Sequence, residues 1–153
     1  YCNGRKKLNK LNIIDSNYLY ARHKPGYDWK KEEGLPDFTK IKIDINNPSN
    51  NQSFNWDQFS TPHWVRFDSQ KKYLREYAVV GFLTKTIRNM SKYGPDLEND
   101  LIDVEHEPEE INYSHCQLFC LDKFKLVENK KQKRRAIRMA MKHNSKVFLK
   151  PNE

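Results

Sequence analysis

Four side chains in the second half of the chain have the chemistry to hold a metal ion. His106, His115, Cys116 and Cys120 offer imidazole nitrogens and thiol sulfurs, and a Cys-x3-Cys spacing lies within the range of one half of a zinc site. The second half is missing unless the histidines or Cys2 supply it. On a helix the two neighbouring cysteines would instead share a face with phenylalanines, as thiols in a hydrophobic core do. We therefore predict no cofactor, and these four residues remain candidates for zinc.

Carboxylates form a second group with possible metal chemistry. Nine acidic residues lie between Asp96 and Asp122, without one Lys or Arg among them. Such a set could hold calcium or the catalytic metal of a nuclease. Leu101, however, stands where a calcium loop of the EF-hand type needs glycine. The sequence predicts a solvated acidic loop over residues 96–110, or a contact with basic groups that include those of the chain itself.

Basic residues near the C-terminus are the best candidates for a binding site. From Lys123 to Glu153 there are eleven basic residues and only two acidic ones. This number of cations would bind the phosphates of a nucleic acid, with an affinity that falls as salt rises and does not depend on the nucleotide sequence. A solvated helix surface and an acidic protein or membrane surface are the alternatives. The candidates for binding RNA or another polyanion are Lys130, Lys131, Lys133, Arg134, Arg135, Arg138 and Lys142, with Arg5, Lys6 and Lys7 at the other end of the chain.

Aromatic residues are numerous in the first half of the chain, where they alternate with cations. Rings beside Lys and Arg could stack on unpaired bases or anchor a protein interface, where Tyr, Trp and Arg are enriched. The predicted interface anchors are Tyr18, Tyr20, Tyr27, Trp29, Trp56 and Trp64.

The elements that would position these residues are predicted mainly as helices. A helix from about Ser69 to Tyr93 follows from apolar residues at three- and four-residue steps and from the stop at Gly94-Pro95. Thr61-Pro62 is typical of a cap and first position of a short helical turn. Glu107-Pro108 predicts another helix start, although residues 115–126 also fit a strand. Only residues 39–45 alternate cleanly enough to predict a strand.

The predicted fold is therefore mainly α: a small, irregular subunit with a central amphipathic helix, a basic C-terminal helix, long extended segments and at most one short strand or hairpin. We divide it into an aromatic and basic arm with little regular structure (1–62), a helical core with the acidic loop (63–127), and a basic helix with its tail (128–153). With 37% hydrophobic and 31% charged residues, such a chain is expected to depend on partners for stability.

A net charge of +8 and a pI near 9.3 fit a polyanionic partner. We predict a non-catalytic subunit of a large assembly, first of all a ribonucleoprotein such as a ribosome, possibly of mitochondria, that contacts RNA backbone beside other protein subunits. The alternatives are an accessory subunit of a protein-only complex, such as a respiratory complex or a filament lattice, and a metal-dependent nuclease-like enzyme. No apolar run reaches the ~20 residues of a membrane-spanning helix. Three cysteines form no disulfide framework and favour a reducing compartment, either cytoplasm or mitochondrial matrix.

Overall fold

Strands dominate the architecture of residues 8–153, the part of the chain that the computed structural model describes. Of these residues, 28% lie in strands or isolated β-bridges and 26% in helices. The strands are β1 (Tyr18–His23), β2 (Trp29–Lys30), β3 (Leu35–Pro36), β4 (Ser53–Trp56), β5 (Ala78–Leu83), β6 (Ile102–His106), β7 (His115–Cys120) and β8 (Ser145–Leu149). The α-helices are α1 (Pro62–Val65), α2 (Thr84–Arg88), α3 (Asp122–Leu126) and α4 (Lys130–His143). Three short 3-10 helices cover Phe38–Lys40, Pro48–Asn50 and Met90–Tyr93.

Six of the strands form one antiparallel sheet in the order β6-β7-β4-β1-β5-β8. The short strands β2 and β3 pair with each other beside it. The large sheet takes strands from all three predicted segments, because β1 and β4 precede residue 63 and β8 follows residue 128. The prediction of a mainly α fold with at most one strand or hairpin is therefore wrong.

The predicted central helix is replaced by β5, followed by the short helix α2. Residues 78–83 form an unbroken apolar run, and such a run fits either a buried helix or a strand buried on both faces. In the structure β5 lies between β1 and β8, and Val79 and Val80 are both completely buried on opposite faces. Pairing with these neighbouring strands, which local periodicity does not reveal, makes residues 78–83 a strand and not a helix.

The helix predicted after Glu107 is also wrong, because β6 and β7 form a hairpin there. Val104 pairs with Leu118, and both side chains are buried. Conversely, residues 39–45 form no strand: Phe38–Lys40 is a 3-10 helix, and extended backbone follows. Their alternation does match burial, since Ile41 and Ile43 are buried while Lys42 is exposed.

Helix α4 closes the main core on one face of the sheet. Its apolar side, formed by Ile137, Ala140 and Met141, packs into the buried cluster that also contains Val80 and Leu118. This basic helix lies within the predicted segment 128–153. The short helix at Thr61-Pro62 is confirmed, with the Thr61 hydroxyl accepting from the amide of Trp64 at 3.2 Å.

The other face of the sheet carries a smaller cluster and the helix α1. Tyr20, Val65, Val79 and Leu149 are buried there, and Phe148 packs against them. Across residues 8–153, no helix has the length and apolar character that crossing a membrane requires.

Candidate anion-binding cleft

Three cations lie along one side of α4. Lys130, Arg134 and Arg138 follow each other at four-residue intervals, so their side chains share one face of the helix. Ile137 and Met141 on its apolar side are at most 1% exposed, which fixes the rotation of the helix on the core. The basic side is thereby presented to the loop that precedes β4.

That loop, residues 41–51, is held by a network around Asp44. Its carboxylate accepts from the backbone amides of Asn46 and Asn47 at 2.9 and 3.0 Å and from the side chain of Asn50 at 2.9 Å. These hydrogen bonds, led by that of Asn50, lower the pKa of Asp44. The buried Asn51 side chain bonds both the amide and the carbonyl of Asp44, at 2.6 and 3.2 Å. The loop is consequently ordered by its own side chains.

A cleft of about 550 Å³ separates the loop from α4. The Nε atom of Arg138 donates to the carbonyl of Ile41 at 2.9 Å and joins the two walls. The cleft is lined by Lys42, Ile43, Asp44, Ile45, Asn46, Asn50, Lys130, Arg134 and Arg138.

Positive charge in the cleft exceeds negative charge by four side chains to one. Within residues 8–153, no carboxylate lies within 4.0 Å of Lys42, Lys130, Arg134 or Arg138. Burial lowers the pKa of Arg138, and the neighbouring Arg134 lowers it further because the two guanidinium groups repel each other. A bound phosphate would relieve that repulsion and accept the free guanidinium hydrogens.

Other members of the basic run have different surroundings. Lys133 donates to the carbonyl of Asp96 and lies 3.8 Å from the carboxylate of Glu98, which also binds Lys123 at 3.2 Å. The acidic loop thus contacts cations of its own chain, which was one of the two alternatives predicted for residues 96–110. Lys131 and Arg135 are exposed on α4, and Lys142 is half-buried. The candidates Arg5, Lys6 and Lys7 lie outside the described residues.

The four zinc candidates are not brought to one point. Cys116 and Cys120 are four residues apart on β7, which separates their Cα atoms by about 13 Å, whereas two sulfurs on one zinc each lie about 2.3 Å from it. His115 follows the alternation of the strand to the opposite face from Cys116. Both ring nitrogens of His106 are engaged, one with the amide of Leu11 at 3.0 Å and one with the carbonyl of Tyr113 at 2.6 Å.

Metal chemistry finds no other support in the described range. No group of three or more His, Cys, Asp or Glu side chains is arranged to hold an ion among residues 8–153. Burial raises the pKa of Cys116 to about 12 and that of Cys120 to about 11. Both thiols therefore stay protonated near neutral pH, and a protonated thiol is a poor nucleophile.

Half of the predicted interface anchors belong to the protein's own interior. Tyr20, Trp29 and Trp56 are at most 8% exposed, since sheet formation places them in the core. Buried rings do not reach a partner, so the proposed anchoring role does not apply to these three. Tyr18 is half-buried, whereas Tyr27 and Trp64 are 61% and 57% exposed.

Sequence patterns missed the loop side of the cleft. Lys42, Asp44, Asn46 and Asn50 were not candidates, and the only local signal was the polar tract 46–52 around Pro48. Nothing in that tract indicates that it faces a helix some ninety residues further along the chain. Comparison of the chain with known protein families, curated proteins and solved structures found no match.

Proposed function

We propose that this chain is a non-catalytic, RNA-binding subunit of a ribonucleoprotein, and that the cleft beside α4 holds the RNA backbone. The observation that carries the proposal is the set of four cations in that cleft, which outnumber its one carboxylate and have no carboxylate within 4.0 Å in the described structure. RNA offers closely spaced phosphates, each able to take bidentate hydrogen bonds from arginine. We place the assembly in a reducing compartment, cytoplasm or mitochondrial matrix, where Cys116 and Cys120 stay as free thiols.

Ordered cations make the cleft more suitable for this role than the rest of the basic run. Lys133 is engaged by the acidic loop, and Lys131 and Arg135 extend into solvent. In the cleft, Arg134 and Arg138 stand one helical turn apart against a wall that the Asp44 network holds in place. A preordered site loses less conformational entropy when the backbone binds.

Salt dependence of binding to a 12-nucleotide oligouridylate tests the proposal. The double variant Lys42→Gln/Arg134→Gln removes two cleft charges, and neither side chain has a hydrogen bond to the protein among residues 8–153. Each lost phosphate contact lowers the slope of log affinity against log salt by about 0.7 for a single strand, so the slope should fall by about 1.4. Fluorescence anisotropy at several salt concentrations measures both affinity and slope.

The matched control is Lys131→Gln/Arg135→Gln, which removes the same charge from the exposed side of the same helix. An equal fall in slope for both variants would refute a specific role of the cleft. Cleavage of the oligonucleotide in the presence of Mg²⁺ would refute the non-catalytic assignment. If the protein binds polyglutamate as tightly as oligouridylate, and Lys42→Gln/Arg134→Gln abolishes that binding, the partner is an acidic protein in place of RNA.

A further inference from the structure

A second exposed feature lies on the sheet face opposite α4. Val65 of α1 is buried against Val79, whereas α4 packs on the cluster that contains Val80, the next residue of β5. Consecutive side chains of a strand point to opposite faces, so α1 and α4 lie on opposite sides of the sheet. A ligand at α1 therefore contacts a surface distinct from the cleft.

Two large rings of this region are exposed to solvent. Trp64 is 57% exposed and Phe67 is 40% exposed, and their ring centroids are 5.6 Å apart. The Tyr73 ring contacts Phe67 edge-on, with ring centroids 5.1 Å apart, and stacks with the His63 ring, with centroids 6.4 Å apart. We call Trp64, Phe67, Tyr73 and His63 the aromatic platform.

Hydrogen bonds order the backbone of α1 and the Tyr73 ring next to the exposed rings. The Thr61 hydroxyl caps α1 at the amide of Trp64, and the ring nitrogen Nδ1 of His63 lies 2.9 Å from the Tyr73 hydroxyl. Arg66 is completely buried between these rings and donates to the same hydroxyl at 3.0 Å. Because the backbone of α1 and the Tyr73 ring are already ordered, a flat ligand that stacks on the exposed rings orders less of the protein when it binds.

Positive charge surrounds the platform. Residues 63–76 contain three exposed basic side chains, Lys71, Lys72 and Arg75, and two acidic ones, while a fourth cation of this segment is buried. One of the acidic side chains, Asp68, is engaged in accepting the amides of Gln70 and Lys72, both at 2.9 Å. Arg22 adds a further cation, since its guanidinium donates to the carbonyl of Phe67 at 3.0 Å. Exposed rings among cations complement a ligand that has both flat faces and negative charge.

We infer that the aromatic platform stacks unpaired nucleobases, so that the RNA bound by this protein is single-stranded where it crosses α1. The inference rests on the proposed function and adds the form of the RNA. Base stacking on an aromatic side chain is tolerant of sequence, and each stacked base raises affinity about fivefold or more. Bases inside a duplex are already stacked and paired, so the platform selects unpaired ones.

Tryptophan fluorescence gives a direct test. Trp29 and Trp56 are only 6% and 1% exposed, so a base that stacks on the protein surface quenches Trp64 selectively. We expect oligouridylate of 12 nucleotides to quench the emission, and a 12-base-pair RNA duplex to leave it unchanged. Trp64→Leu should remove the quenching and weaken single-strand binding about tenfold, with the salt slope unchanged.

The control is Tyr93→Leu, which removes another exposed ring, 37% accessible, that lies beside α4 and outside the platform. It should retain both quenching and affinity. RNA binding that depends on the cleft variants but not on Trp64, with no quenching, would overturn the platform and leave the proposed function intact. Absence of RNA binding at low salt would overturn both. Equal affinity for single strand and duplex would also contradict base stacking, and would assign the platform to protein contacts.

Discussion

At the scale of single residues, Arg66 shows how the protein uses a buried cation. Its guanidinium is completely buried and donates to the carbonyl of Tyr77 at 2.8 Å, the hydroxyl of Tyr73 at 3.0 Å and the carbonyl of Lys150 at 2.7 Å. The three bonds join α1, the segment before β5 and the tail after β8. All three acceptors are neutral, so the side chain acts through hydrogen bonds.

Replacing Arg66 should therefore destabilise the fold markedly. Arg66→Leu removes the donor of three partly buried hydrogen bonds and the charge-bearing group that fills the site, and we expect a loss of about 2–3 kcal/mol in the free energy of unfolding. Urea denaturation measures this loss. The matched variant Arg75→Leu removes an exposed arginine with one bond, to the carbonyl of Asn152 at 3.1 Å, and should cost less than about 1 kcal/mol. Equal losses in the two variants would contradict the role assigned to Arg66.

The buried thiols predict slow chemical modification and sensitivity to alkali. In a Cys2→Ser background, Cys116 and Cys120 should react slowly with iodoacetamide at pH 8 and fully after denaturation, because burial raises the pKa of each above its ordinary value of 9.0. Mass spectrometry counts the labelled thiols.

The same pKa shifts set the sign of the pH dependence. Above pH 9 the unfolded thiols ionise while the folded ones stay protonated, so the stability that they contribute falls as pH rises towards 12. Stability should be unaffected by this effect below pH 9. Rapid labelling of both native thiols at pH 8 would show that they are accessible and ionised.

At the scale of elements, the contact between β5 and β8 depends on a glycine, because Gly81 leaves space for a ring of β8. The Phe148 ring of β8 lies over Gly81 of β5, and a Cβ at position 81 would come within 2.3 Å of the ring. Tyr18 and Tyr20 hold the same ring edge-on, with centroids 5.3 and 5.2 Å away. The strand pair is therefore built around a glycine because an aromatic ring occupies its Cβ space.

Gly81→Ala should destabilise the protein through this clash. We expect a loss of about 1–3 kcal/mol, typical of overpacking, measured by urea denaturation. In the double variant Gly81→Ala/Phe148→Ala the clash is absent, so the loss should be smaller than the sum of the two single losses. Additive losses would show that the ring does not constrain position 81.

At the scale of the whole molecule, the buried apolar residues form one large cluster and a smaller one on the other face of the sheet. The main cluster reaches from Ile13 to Met141 and includes Phe54 and Trp56 of β4 and Phe82 of β5. Some of the aromatic residues that were expected to lie on other subunits, among them Trp29 and Trp56, are buried in this core, whereas Tyr27 and Trp64 are exposed. Surface charges partly pair within the chain, as in the contacts of Arg88 with Asp103 and Asp15 at 3.0 and 3.1 Å.

The isolated chain should therefore fold by itself. Because the six-stranded sheet takes strands from both ends of the chain, we expect one cooperative unfolding transition, coincident by circular dichroism and by tryptophan fluorescence. Removal of residues 144–153, which contain β8 and one of the three acceptors of Arg66, the carbonyl of Lys150, should abolish that transition. A broad, non-coincident transition for the full chain would support the original expectation that companions stabilise it.

Local chemistry alone determined several features of this protein. The capped turn at Thr61-Pro62, the basic helix and the separation of acidic from basic segments follow from residue types at short range. The apolar run 78–83 and the segment 115–120 did not reveal their structure, because a short apolar stretch is compatible with both a helix and a strand until its neighbours are known.

Tertiary structure decided which residues act together. The cleft requires Lys42 and Asp44 to face Arg134 and Arg138, and this meeting depends on how α4 packs on the core. The sheet likewise buried Trp29 and Trp56 while leaving Trp64 exposed, although the three residues are chemically identical. The sequence thus determined which charges and rings exist, and packing determined which of them remain available for a ligand, because burial depends on partners distant along the chain.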